Sequence, residues 1–142
     1  SRVECFADIG SGNGILGIGF VCWVMDRGLG ECRVHLVEPR SRKARALQEV
    51  VGMMGLKKSE VFQWDLMTYL GKKKEKKVIL ARGFPDNQLI VDQTKRKEVL
   101  GCGLVSSGEK KKGLVVPTDC GKSVAKIENR DQLNCLFLEC FT

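Results

Sequence analysis

The stretch FADIGSGNGILGIGF, residues 6–20, places Gly10, Gly12, Gly14 and Gly17 within eight positions, directly after an apolar run and an acid, Asp8. Residues 3–9 have the β-branched and aromatic content of a strand, and residues 14–27 are apolar nearly all round, as in a helix packed closely against a sheet. The order strand, acid, glycines, helix predicts a loop at the carboxyl end of a parallel strand. Backbone must approach a ligand there, and side chains would fill the space or forbid the angles.

Outward from that loop, apolar runs alternate with helical patterns, the sequence form of βαβ units. A second strand is expected over 33–37, stopped by Pro39, and a helix over 41–54, with Ala44, Leu47, Val50, Val51 and Met54 along one face and Gly55 closing it. A third strand is expected at 60–64, a fourth at 77–81 before RGFPDN, a helix at 87–100, and strands at 102–105 and 114–116. The segment KSVAKIENRDQLNCLFLEC, residues 122–140, predicts a hairpin about the turn-forming ENRDQ, so an antiparallel pair would end a mainly parallel sheet.

A chain of 142 residues reads as one domain, with 43% hydrophobic and 29% charged residues, too apolar for a disordered chain. It lacks an apolar run of membrane-spanning length and a signal peptide pattern, which places it in the cytoplasm. Its seven cysteines are scattered without a C-x-x-C pair and His35 is the single histidine, which argues against a zinc site or a disulfide framework and for buried reduced thiols. Lys and Arg number 24 against 17 Asp and Glu, a net charge of +7 that attracts polyanions. Much of the excess lies in KKKEKK (residues 72–77) and EKKK (109–112), which read first as solvated loops, with phosphate contact as the sharper reading.

Two cofactor classes fit the glycine loop. Gly12, Gly14 and Gly17 satisfy G-x-G-x-x-G, and Glu38 stands about 20 residues on at a second strand end, as a dinucleotide fingerprint requires. Against that, Asp8 stands two places before Gly10, where a carboxylate opposes a pyrophosphate and suits a cationic ligand such as the ammonium and sulfonium of S-adenosylmethionine. Glu38 would then accept hydrogen bonds from both ribose hydroxyls.

Asp8, Gly10, Gly12 and Gly14 form D-x-G-x-G-x-G, which resembles the first motif of the class I S-adenosylmethionine-dependent methyltransferases. VEPRSRKARALQEVV (37–51) and VILARGFP (78–85) are similar to the segments after strand two and at strand four of the GidB/RsmG type of small-subunit ribosomal RNA methyltransferase. The resemblance implies a Rossmann-like α/β sheet, S-adenosylmethionine as cofactor, ribosomal RNA or the small ribosomal subunit as partner, and methylation of guanine N7. It carries Asp8, Gly10, Ser11, Gly12, Gly14, Glu38 and Pro39 over as cofactor-binding residues, Asp65 and Leu66 as adenine contacts, and Arg82 as the active-site arginine.

The chain departs from that family in reading NGILG where a proline commonly follows the glycines, in reading FQWDLMTY after strand three, and in starting almost on strand one, without the family's N-terminal helices. N-P-P-Y, D-P-P-Y and a P-C nucleophile pair are absent from the sequence, and guanine N7 chemistry requires none of them because that nitrogen carries a free lone pair. Arg40, Arg42, Lys43 and Arg45 open a helix where the dipole disfavours cations, so helix stability does not account for them. Trp64 reads as a strand-end core residue before an adenine platform. Two other readings stay open: a methyltransferase of the same fold acting on a protein or small molecule, and a non-catalytic or redox nucleotide-binding module.

Overall fold

CFADI, residues Cys5–Ile9, is buried at every position, and each residue is registered between two parallel neighbours, with Cys5 opposite Arg33 and Lys77 and Ile9 opposite Val37 and Ala81. A strand covered on both faces and paired on both edges must be apolar throughout. Asp8 is its one exception. This strand, β1, is the centre of the fold in a computed structural model that describes residues 3–12, 15–26, 33–82, 84–105, 112–118 and 121–126.

After β1 come α1 (Ile15–Asp26), β2 (Arg33–Val37), α2 (Ser41–Met54), β3 (Ser59–Phe62), α3 (Leu66–Lys72), β4 (Lys77–Arg82), α4 (Asn87–Gln93), β5 (Val99–Val105), β6 (Lys112–Thr118) and β7 (Gly121–Lys126). They build one seven-stranded sheet in the order β3-β2-β1-β4-β5-β6-β7. The first five strands are parallel, β6 runs antiparallel to β5, and β7 antiparallel to β6. The strand order reverses between β1 and β4, which is where a sheet of this kind opens a crevice beyond its carboxyl ends.

Alternation along the strands divides the core into two layers. Phe6, Val34, Leu36, Val78 and Leu80 face Val21 of α1 and Leu47 of α2, whereas Ala7, Ile9, Val37, Ile79 and Ala81 face Leu66, Tyr69 and Leu70 of α3 and Ile90 of α4. Each large side chain buried this way contributes about 1.5–3 kcal/mol. Gly55, at φ 63°, ends α2, its N–H donating to the Gly52 carbonyl while that of Leu56 reaches Val51. A left-handed residue at that place favours glycine.

The expected α/β sheet and the helix over 41–54 are present, and three details differ. The helix expected at 87–100 ends at Gln93: the Thr94 hydroxyl turns back to the Val91 carbonyl at 2.7 Å, and Val99 and Leu100 belong to β5, where Val99 pairs with Lys77. Sheet pairing of a β-branched residue overrode the helical spacing. The short helix α3 was not expected; Asp65 caps it and it buries Leu66, Tyr69 and Leu70. The antiparallel hairpin described is formed by β6 and β7, so the strand expected at 114–116 is one of its arms, while the ENRDQ turn lies outside the described residues. No helix among the described residues is long and apolar enough to cross a membrane.

Candidate functional site

At the end of β1 the chain turns through Gly10 and Gly12, whose φ values of 68° and 58° are left-handed. A non-glycine residue would cost about 1–2 kcal/mol at such a position. Three backbone N–H groups tie this loop to the end of β2: those of Gly10 and Ser11 donate to the Val37 carbonyl at 2.8 and 3.1 Å, and that of Gly12 donates to Glu38 Oε2 at 3.1 Å. The Ser11 hydroxyl donates to the Asp8 carbonyl at 2.9 Å. The glycine loop and Glu38 are therefore one unit, although 26 residues separate Gly12 from the acid.

Asp8 is 2% exposed, and among the described residues its Oδ2 has no hydrogen-bond partner. Burial pushes its carboxyl up to about 6; the Ser11 hydroxyl and the Gly17 N–H oppose that rise, and the charge of Glu38 adds to it. A half-satisfied buried carboxylate is costly, which is the state expected of a group that completes its bonding with a ligand. Its place is held by α1. A Cβ on Gly17 would lie 2.1 Å from Leu36 Cδ2 and 2.6 Å from Asp8 Oδ2, so only glycine lets the helix approach this closely.

Glu38 is 3% exposed, its N–H donates to the Phe62 carbonyl at 3.0 Å, and its Oε1 lies 3.9 Å from Nε of exposed Arg40. Pro39 is exposed. Asp65 caps α3 by accepting the Thr68 N–H at 2.7 Å, and that bond holds its carboxyl below the usual carboxylate range. Leu66 points into the core, which leaves its backbone as the part near the strand ends. Trp64 is half-buried and stacks on Phe62, with centroids 4.9 Å apart and 17° between planes, and the Lys72 ammonium stands 5.3 Å from its ring centre.

Arg82 is the last residue of β4, one place beyond Ala81, which is registered opposite Ile9. The β4 end meets the glycine loop directly, since a Cβ on Gly10 would touch Phe84 Cδ2 at 3.7 Å. The ends of β1, β2 and β4 thus bring Asp8, Gly10, Ser11, Gly12, Glu38 and the backbone of Arg82 to one edge of the sheet; Gly14 lies outside the described residues. The family resemblance sets the phenylalanine of RGFP, Phe84, beside the cofactor, and its ring borders Gly10; the sequence reading gives Gly17 a place only in the dinucleotide fingerprint. Its function here is helix-to-strand contact, a role the third glycine of that pattern also has.

The opposite edge holds a cavity of about 480 Å³ lined by Cys5, Arg33, His35, Glu60, Lys73 and Glu75, among others. Beneath it His35 Nδ1 and the Tyr69 hydroxyl share a 2.6 Å hydrogen bond, and fully buried Lys77 donates to the carbonyls of Lys73 and Glu75 at 2.7 and 2.9 Å. Burial lowers His35 to about 4 and raises Cys5 to about 11. Cys5 and Cys102 are buried as expected, but Cys22 is exposed, because position 22 falls on the outer side of α1.

Comparison with known proteins agrees with this geometry. The sequence pattern of GidB, described as rRNA small subunit methyltransferase G, matches residues 1–119. No curated protein matches the chain. Among solved structures, the C-terminal domain of precorrin-6Y C5,15-methyltransferase from Rhodobacter capsulatus superposes with a TM-score of 0.56 at 17% identity, covering 88% of this chain and 76% of that one. An rRNA methylase from Streptococcus thermophilus gives 0.55 at 8% identity, covering 87% and 85%. Coclaurine N-methyltransferase, bound to N-methylheliamine and SAH, gives 0.56 at 18% identity over 73% of this chain, which spans only 30% of that longer enzyme. These likenesses establish the fold. By the pattern that runs over residues 1–119, the chain belongs to the GidB family.

Proposed function

We propose that the chain binds S-adenosylmethionine at the β1–α1 loop and transfers its methyl group to guanine N7 of small-subunit ribosomal RNA, in the cytoplasm. The observation that carries the cofactor reading is the unpartnered Oδ2 of buried Asp8 beside two left-handed glycines. Such a carboxylate repels a pyrophosphate and attracts an ammonium or sulfonium. Family membership supports the acceptor.

When bound, S-adenosylmethionine supplies an electrophilic methyl group on a sulfonium sulfur. The residues of this chain bind and orient. Asp8 offers negative charge to the methionine end, with Gly10, Ser11, Gly12 and Gly14 giving backbone access. Glu38 keeps one oxygen on the Gly12 N–H, so the acid that would hold the ribose hydroxyls is oriented by the same loop. Pro39 borders that acid, and Asp65 with the backbone of Leu66 would bound the adenine at the next strand end. Arg82 would contact guanine O6 or a flanking phosphate. N7 reacts through its own lone pair, so holding it in line and shaping the field around it suffice, with no residue required to remove a proton.

Calorimetric titration with S-adenosylmethionine and with NAD tests this reading. Asp8→Ala and Glu38→Ala should each weaken S-adenosylmethionine binding by roughly 10- to 100-fold, the size of a lost charge-assisted hydrogen bond. Arg82→Ala should leave that affinity in place and lower methyl transfer to ribosomal RNA. Tight NAD binding without a response to S-adenosylmethionine would sink it.

A further inference from the structure

The sequence offers two clusters of cations, and the fold puts them at opposite edges of the sheet. Arg40, Arg42, Lys43 and Arg45 follow the carboxyl end of β2, one turn from Glu38 and the glycine loop. The lysine run 72–77 leads into the amino end of β4, where Lys77 is registered opposite Cys5, the first residue of β1. At about 3.3 Å per residue, that edge is some 13 Å from the strand end at Ile9.

Their states differ too. In the lysine run, Lys77 is buried and donates twice to carbonyls; Lys74 donates to the Leu70 carbonyl at 3.1 Å and lies 3.8 Å from Glu98. Lys73 stands 4.9 Å from the Phe62 ring centre and Lys72 5.3 Å from that of Trp64. Their own chain engages these four of the run's five ammonium groups; that of Lys76 is exposed. On α2, by contrast, Arg42, Lys43 and Arg45 are exposed, and among the described residues none has an ion-pair partner within 4.0 Å. Arg42 and Arg45, three apart, share a face.

The α2 cluster also works against its own helix. The first turn of α2 holds no acid, and its N-cap, Arg40, makes no side-chain capping bond, so Arg42 and Lys43 meet the positive end of the dipole with no acid in that turn. Helix α3 is arranged the opposite way, with Asp65 at its N-cap and Lys72 in its last turn. Helix stability explains the charges of α3 and does not explain those of α2. A polyanion laid on that turn would supply the missing negative charge.

We infer that Arg42, Lys43 and Arg45 form the phosphate track of the RNA substrate, holding its backbone beside the methyl-donor loop, and that the lysine run takes no part. This rests on the RNA-methyltransferase reading above. The track lies on the first turns of α2, just after the carboxyl end of β2, and β2 ends two strands, about 10 Å of sheet edge, from the end of β4 that carries Arg82.

The test measures affinity for protein-free small-subunit ribosomal RNA across a salt series, for the parent chain, for Arg42→Ala/Lys43→Ala/Arg45→Ala, and for Lys72→Gln/Lys76→Gln, with S-adenosylmethionine calorimetry on each. All five positions are exposed, and alanine favours a helix interior, so the α2 variant should fold. The α2 variant should keep its cofactor affinity and lose about 2 from the slope of log affinity against log salt, three contacts at ~0.7 each; the lysine-run variant should keep the parent slope. An unchanged slope in the α2 variant of a chain that does bind RNA overturns the track and leaves the RNA reading standing. If the parent itself shows no salt-dependent RNA binding while it binds S-adenosylmethionine, the RNA reading falls and the track with it.

Discussion

At the Cys5 end of β1 the buried polar groups are bonded to one another: His35 to Tyr69, and Lys77 to two carbonyls. At the Ile9 end, four residues along the same strand, Asp8 is as deeply buried and keeps one carboxylate oxygen without a partner among the described residues. Glu75 Oε2 at the first end also lacks a hydrogen bond, yet that carboxyl is lowered: burial alone would raise it, and a backbone hydrogen bond with neighbouring His35, Lys73 and Lys77 outweighs burial. The Asp8 carboxyl is left raised. One end of the sheet uses its buried polar groups to hold the fold, and at the other a buried acid keeps one oxygen without a partner among the described residues. A cavity alone does not tell them apart, since the 480 Å³ cavity lies at the bonded end.

The largest effect should come from breaking the bonded end. Tyr69→Ala removes a fully buried ring from the second core layer and leaves His35 Nδ1 unpaired, which should cost about 3–5 kcal/mol in denaturant unfolding. Below its melting temperature, the variant should bind S-adenosylmethionine as the parent does. A matching loss of affinity would mean the two ends are coupled.

Gly17→Ala attacks the other end through packing. The new Cβ meets Leu36 and Asp8 at contacts no real methyl makes, so α1 or these two buried side chains must shift, at about 1–3 kcal/mol by the usual cost of overpacking. Here stability and cofactor affinity should fall together, because the displaced atom is Asp8 Oδ2. Affinity unchanged beside lost stability would show that Asp8 is structural.

The contrast between the ends was partly legible in the sequence. The acid-glycine loop, the position of Glu38 and the helix over 41–54 could be read because each rests on local chemistry: positive φ, a strand end, an apolar stripe. The bonded end could not, since His35, Tyr69 and Lys77 are far apart in the chain and meet only through sheet register and α3. That helix was hidden because LMTYLGK is short and runs straight into lysines that look like a solvated loop. The α2 cluster stood apart in the sequence by its place at a helix start, whereas burial of Lys77 within the lysine run depends on sheet register and could not be read there.

The smallest effect opposes the first two in sign. Burial raises Asp8 from 3.8 to about 6, so between those values the folded chain holds a proton that the unfolded chain has released, and this group's contribution to stability falls as pH rises. His35 does the reverse: lowered from 6.5 to about 4, it is neutral in the fold while protonated in the unfolded chain, so its contribution rises with pH over nearly the same window. In the parent the two slopes oppose each other. Asp8→Asn removes one of them while keeping the shape of the side chain. It should therefore stabilise the ligand-free protein at pH 7 by roughly 2 kcal/mol, lose that advantage as pH falls from about 6 to below 3.8, and bind S-adenosylmethionine more weakly throughout. Urea unfolding of parent and variant at matched pH values reads the difference. Parallel profiles would show that Asp8 carries no stored cost, and the comparison between the two ends of β1 would then fail at the end proposed to bind the cofactor.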